Sequence, residues 1–393
     1  MNHKFIFTDI FPGPHGALTA EYQCEPPSVP ICNMLGHFDN FNLKDFFVWD
    51  KKNLISADSK KFITYFIHMP MKIVLDFKRE IVDQINNDPK SYLLLFSVLE
   101  RIITPEELKN VLDKKGIRKD KVIVLCSDRQ SHNKRINEVL YLYVEFWESY
   151  ARYHQHFLKS STELDINERA RSLRKASKKF LCLNRNIKSH RIWFYYLMKR
   201  KNMVDQGHIS FHLPRLNKPE YISLANDYLT LKYIPKNLHS EYKKDLKVKL
   251  LPKVLDRLNR EFIINYNDSI KPYYSDSLFS IITESDFRYT FITEKTYKAI
   301  VHCHPFFILG TSDHHRALRE NGYHTFEEFF GVKEVSNWQD ASQLLENINA
   351  MSLEQVKQRV KEMLPLLEHN YNNFFNRNTD WNDIKMMLEM VTN

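Results

Sequence analysis

Glycine is scarce in this chain, with 8 residues in 393. No G-x-G-x-x-G and no G-x-x-x-x-G-K-S/T occurs. Glycine loops that cradle phosphates are therefore excluded, and any phosphate site must use helix N-termini and basic side chains. Cysteine is sparse too: Cys24, Cys32, Cys126, Cys182 and Cys303 are odd in number, scattered and without a Cys-x-x-Cys pair. That pattern argues against a disulfide framework and fits reduced thiols, with Cys126 and Cys182 buried in apolar runs. Asp-x-Asp, a common cation-holding element, is missing. No apolar run approaches membrane-spanning length, and the chain opens on a short strand-like run, Phe5 to Ile10, not on a signal peptide. The expectation is a protein without a membrane span, cytoplasmic in a bacterium or a virus-infected host cell. Abundant Lys, Asn, Phe and Tyr suit an AT-rich, viral genome.

What is present describes a globular protein. Hydrophobic residues make up 43% and aromatic residues 13%, enough to bury a sizeable core, and the length suggests two domains. The formal net charge is +9, which favours anionic partners without naming one. Much of the excess sits in clusters at 169–179, 199–201 and 243–253. Taken alone, each reads as a solvated face.

Along the chain, strands are expected at 4–9, 72–76 and 121–127, and helices at 91–101, 105–115 and 134–157. The polar stretch around 161–178 reads as a linker between an N-terminal domain, 1–160, and a second domain, 179–370. In that second half a strand at 180–183 precedes a helix from His190 to about Lys201. Helical patterns return at 338–349, 352–368 and 379–391, with 371–393 a C-terminal helix. Strands alternating with helices in both halves imply an α/β fold of two doubly wound, Rossmann-like domains facing a cleft.

The densest information lies at 278–310. An apolar run, Leu278 to Ile282, ends on Thr283-Glu284-Ser285. After a short loop come Phe291-Ile292-Thr293-Glu294-Lys295, a helical pattern, and the run Pro305 to Gly310. This reads as strand, helix, strand, with Thr293 as the helix cap. The positive end of that helix favours an anion, Lys295 adds a mobile charge, and Glu294 offers an acceptor for hydroxyls. A nucleotide diphosphate carrying a ribose or sugar needs that combination.

These residues resemble the donor-site signature of α1,3-fucosyltransferases and related viral and bacterial glycosyltransferases: a strand ending Glu-Asn/Ser, then Tyr/Phe-Ile/Val-Thr-Glu-Lys, a helix and a Pro…Gly strand. An earlier block agrees, Phe180 to Asn186 followed by His190-Arg191. Arg191 matches the family's phosphate-gripping arginine. The resemblance covers about 180–330. It implies the two-domain GT-B architecture and transfer of fucose or a similar sugar from a GDP-linked donor, with UDP-linked donors left open because the base-contacting residues are not readable. The missing Asp-x-Asp favours a site without a metal, and no other cofactor is expected. Its donor-binding residues would be Asn184, Arg185, Arg191, Glu284, Thr293, Glu294 and Lys295.

No match to the family's catalytic base is found. Asp128, directly after the 121–127 strand, suits a base at a strand end best, with Asp9, His15 and Asp39 as rivals. The acceptor could be a glycan, a protein or a modified base in DNA. An aromatic groove for it could use Tyr141, Tyr143, Phe146 and Trp147, although such spacing equally marks a core. His302, His304, His314 and His315 beside Cys303 are not spaced as metal ligands. The alternative is a non-catalytic nucleic-acid-binding protein that uses its basic surface, though no reader motif occurs.

Overall fold

The computed structural model describes residues 5–9, 47–49, 61–66, 79–97, 104–126, 133–143, 145, 148, 166–184, 188–211, 228–248, 270–285 and 290–376, the first three spans as backbone only. The chain divides into two compact units, residues 1–153 with 378–393 and residues 154–377. Each is α/β and holds one sheet of mainly parallel strands.

The first unit contains β1 (Phe5–Asp9), β2 (Phe47–Trp49), β3 (Lys61–Phe66), β4 (Ser91–Ser97), β5 (Val122–Cys126), β6 (Lys134–Ile136) and β7 (Val139–Tyr143). They lie in the order β2-β1-β3-β4-β5-β7-β6, and only the β6–β7 pair is antiparallel. All five residues of β5 are buried, as expected of a parallel strand covered on both faces. The helix Pro105–Lys115 starts where the sequence places it. Thr104 and Glu107 form a capping box, proline fills the first turn, and Gly116 closes the helix at φ 68°. Leu108 and Leu112 from this helix pack with Val82, Ile85, Leu93, Leu95, Val122 and Val124.

In two expected helices, 91–101 and 134–157, the described portions at 91–97 and 134–143 are strands. Residues 91–97 form β4, paired with β3 and β5. Leucine favours helices, but a short apolar run does not distinguish the two states, and here neighbouring parallel strands decide it. Residues 134–143 form the β6–β7 hairpin. Asn137 and Glu138, at φ 51° and 71°, make the tight connection that breaks the helical reading. The expected strand 72–76 and helix 379–391 lie outside the described residues.

Tyr141 points into the core instead of lining a groove, and among the described residues its buried hydroxyl has no hydrogen-bond partner. Burial pushes the phenol pKa up, with a smaller contribution from Cys126. Tyr143 donates to Glu145; Phe146 and Trp147 lie outside the described residues. Because the Tyr141 hydroxyl is desolvated and unrewarded, Tyr141→Phe is expected to keep or raise stability, by about 1 kcal/mol. A urea midpoint that falls in the variant at unchanged slope would show that the hydroxyl has a stabilising partner.

In the second unit, β8 (Lys178–Asn184), β9 (Gly207–Phe211), β10 (Ser277–Thr283) and β11 (Phe306–Leu309) form a fully parallel sheet in the order β11-β10-β8-β9. The helix Ser189–Arg200 connects β8 to β9, and the helix Glu294–Val301 lies between β10 and β11. All seven residues of β10 are buried. Gly207 is paired with Phe180, and a Cβ there would stand 2.3 Å from the Phe180 ring, so a larger residue would have to displace that buried ring.

The segment read as a linker is partly structural. Ile166–Leu173 is a helix of the second unit and Arg169 is fully buried. Its guanidinium donates to the carbonyls of Tyr274, Ser277 and Leu278, at 3.1, 2.9 and 2.5 Å. The long C-terminal pattern is two helices, Leu353–Glu362 and Leu364–Asn376, with Pro365 denying the backbone donor that a continuous helix would need.

Candidate functional site

The strand order places the site. From β8 the chain crosses outward to β9, and from β10 it crosses outward in the opposite direction to β11. The connections therefore diverge between the carboxyl ends of β8 and β10. This is a topological switch point, where open parallel sheets leave a crevice for ligands. Six of the residues expected to bind the donor meet at this edge: Asn184, Arg191, Glu284, Thr293, Glu294 and Lys295.

Asn184 and Thr283 end the two neighbouring strands, and the Thr283 hydroxyl donates to the Asn184 side-chain oxygen. Asn184 N–H donates to Ser210 Oγ at 3.1 Å, tying the β8 end to β9. Next to them, Glu284 is buried, with Thr293 N–H 2.9 Å and Thr296 Oγ1 2.6 Å from its Oε1. Thr293 Oγ1 donates to its other oxygen.

Thr293 is the N-cap of the 294–301 helix, accepting from Lys295 N–H at 3.4 Å. Lys295 Nζ lies 2.9 Å from Thr293 Oγ1, 3.2 Å from Glu294 Oε1 and 3.8 Å from Glu284 Oε2. It also donates to Ser285 Oγ at 3.4 Å, while Lys188 Nζ donates to the Ser285 carbonyl at 2.7 Å. Two lysines thus converge on one serine beside two helix starts. No side chain caps the 189–200 helix.

Burial raises the Glu294 pKa, but Lys295, Lys298 and the Thr293 hydroxyl outweigh it and hold the carboxyl below its ordinary value. Glu294 is thus an ionised acceptor at neutral pH. His190 is driven well below 6.5 by burial, then by Arg191 and Lys188. The neutral ring donates from Nε2 to the Glu284 carbonyl at 3.0 Å. Burial lifts the Cys182 thiol to about 11, so it stays protonated.

Arg191 is buried, and Nη2 donates to the carbonyls of Thr283 and Glu284 at 2.7 and 3.3 Å. The fork that the resemblance assigns to phosphate is thus directed at main-chain oxygens. Lys188, His190, Ser285 and Thr296 join the site although the sequence reading gave them no role in it. Lys188 and Ser285 were legible as neighbours of the expected strand and helix ends. Thr296, one turn inside a helix, carried no signal. Arg185, Asp128, His15 and Asp39 lie outside the described residues, and Asp9 is described as backbone only.

The histidines near Cys303 have local partners. His302 Nδ1 lies 2.8 Å from the Lys298 carbonyl and its ring stacks on Tyr274. His304 bridges Ser280 Oγ and the Tyr274 carbonyl. His314 accepts from Phe291 N–H, and His315 contacts the Ile308 carbonyl and Glu327. Among the described residues, no group of three or more His, Cys, Asp or Glu is placed to hold a metal ion. No described helix is long and apolar enough to cross a membrane.

The basic cluster at 199–201 is paired within its own unit. Lys199 meets Asp245, Arg200 meets Glu241 and Lys201 meets Glu346. Lys178 and Lys179 donate to backbone carbonyls.

No protein-family model matches the chain, and no curated protein matches it.

Proposed function

We propose that this chain is a nucleotide-sugar-dependent glycosyltransferase of the two-domain, Rossmann-like GT-B type. It moves fucose or a similar sugar from a GDP- or UDP-linked donor to an acceptor hydroxyl, without a metal ion. The observation that carries the reading is the convergence of Lys188, Lys295 and two helix starts at the switch point between β8 and β10. Fixed positive charge beside helix N-termini, with an ionised carboxylate adjacent, suits a diphosphate joined to a hydroxyl-bearing ribose or sugar.

In this reading Lys295 binds the donor phosphates beside the positive end of the 294–301 helix, and Glu294 accepts from ribose or sugar hydroxyls. Arg191 supplies further positive potential behind the site. The acceptor oxygen attacks the sugar's anomeric carbon as the bond to the β-phosphate oxygen breaks. The nucleoside diphosphate leaves with the electron pair, and its growing charge is stabilised by the lysines. The acceptor's proton passes to a carboxylate, for which Asp128 remains the candidate on sequence position. The acceptor is a glycan, a protein or a modified DNA base. The pairing of Lys199, Arg200 and Lys201 with carboxylates leaves them poorly suited to neutralising a nucleic-acid backbone.

Thermal unfolding with GDP, UDP and CMP, and with their common sugar conjugates, tests the reading. One nucleotide at a hundredfold its dissociation constant is expected to stabilise the protein by about 2.7 kcal/mol. Lys295→Ala should abolish that stabilisation, read against the variant's own ligand-free midpoint, which should itself fall because Lys295 is only 16% exposed and faces Glu284 and Glu294. Indifference of the wild type to all of them would overturn the reading.

A further inference from the structure

We propose that Glu284 is a positioning residue that fixes the two helix starts of the site relative to each other, and that of these two carboxylates Glu294 is the one that recognises hydroxyls. The inference rests on the donor-site reading above and assigns its two carboxylates different tasks.

The Glu284 side chain is fully buried. An ionised carboxylate offers about four acceptor positions. Thr293 N–H, Thr293 Oγ1 and Thr296 Oγ1 occupy three of them, and Lys295 faces the rest at 3.8 Å. Nothing remains for a ligand hydroxyl. A buried carboxylate is costly unless its lone pairs are satisfied, and here the first turn of the 294–301 helix satisfies them.

The backbone of the same residue serves the other helix start. Its carbonyl accepts from His190 Nε2 and Arg191 Nη2, both in the first turn of the 189–200 helix. One residue at the end of β10 thus binds one helix start with its side chain and the other with its carbonyl. The spacing between the helix N-termini, and the aim of Lys295 between them, follow from that double attachment. Glu294 is different: its side chain is 12% exposed and touches Lys295 at 3.2 Å, which leaves acceptor capacity for a ligand.

Calorimetric titration of GDP, UDP and inorganic pyrophosphate separates the two roles. Pyrophosphate carries the anionic part of any such donor and no ribose. Glu284→Gln is expected to weaken pyrophosphate and the preferred nucleoside diphosphate equally, by about tenfold or more, because both depend on the helix starts. Glu294→Gln should weaken the nucleotide and spare pyrophosphate.

Should Glu284→Gln fail to fold, Thr293→Val and Thr293→Ser carry the test. Valine loses the hydroxyl contact to Glu284, whereas serine keeps it. Only the valine variant should lose pyrophosphate affinity. If Glu284→Gln lowers nucleotide affinity but leaves pyrophosphate untouched, Glu284 reads hydroxyls and the inference falls. It also falls if Glu284→Gln binds both ligands as the wild type does, or if Thr293→Val does so. In those cases the donor-site reading stands. A wild type that binds neither nucleotide nor pyrophosphate overturns both.

Discussion

Arg169→Ala is expected to destabilise the second unit by on the order of 4 kcal/mol, one of the largest effects available to a single substitution in this chain. The guanidinium is fully buried and spans three carbonyls at the start of β10. Burial draws its pKa down to about 9, so it stays charged at neutral pH. Among the described residues no carboxylate pairs with it; carbonyl dipoles compensate the charge. Truncation leaves a cavity and carbonyls without their donor. Arg169→Met separates these contributions, since it fills most of the volume and restores no donor. Both variants should unfold well before the wild type in urea, with methionine recovering only the packing part. A methionine variant as stable as the wild type would show that the guanidinium contributes nothing beyond volume.

The same residue shows what a single sequence hides. Arg169 stands in a polar stretch and reads as a surface charge, because the carbonyls it serves lie 105 to 109 positions away. By contrast, β8, β10, β11 and the helix starts between them were legible. Their apolar runs are short, bounded by polar residues, and followed by cap chemistry at Thr293 that works locally. The helix Pro105–Lys115 was legible for the same reason, since its capping box and Gly116 lie within a few residues of its ends. Where the deciding partner is remote, local pattern fails. Ser91–Ser97 is a strand because β3 and β5 flank it, and Glu284 is saturated because Thr293 and Thr296 come back across a loop. The switch point itself was invisible in the sequence, since it depends on strand order.

Acid should destabilise the second unit well before its carboxylates titrate. His190 and His304 are driven well below 6.5, and His315 to about 4, in each case chiefly by burial. Arg191 and Lys188 add to this at His190, and Arg169 adds at His304, whereas Glu327 partly opposes it at His315. In the unfolded chain each titrates near 6.5. Above that pH neither state binds the protons and stability is unaffected. Below it the unfolded chain takes up protons that the folded state refuses, so stability falls as pH falls. By pH 5.5 each histidine contributes a loss on the order of 1 kcal/mol, and the three together a few kcal/mol, relative to pH 7.5. The decline continues until His315 protonates near its own folded value. Carboxylates held below their ordinary range, Asp276 and Glu294, lose their contribution only below the unfolded carboxylate pKa, which leaves the window between about 6.5 and 4.5 to the histidines. Urea titrations across that window, followed by fluorescence of the buried Trp193 among the chain's tryptophans, should show the midpoint falling steadily. His304→Gln should make the decline shallower by roughly one proton's share, about 1.4 kcal/mol per pH unit. A midpoint that stays flat from pH 7.5 to 5.5 would mean that these rings are protonated in the folded state. His190 could not then be the neutral donor that holds the Glu284 carbonyl.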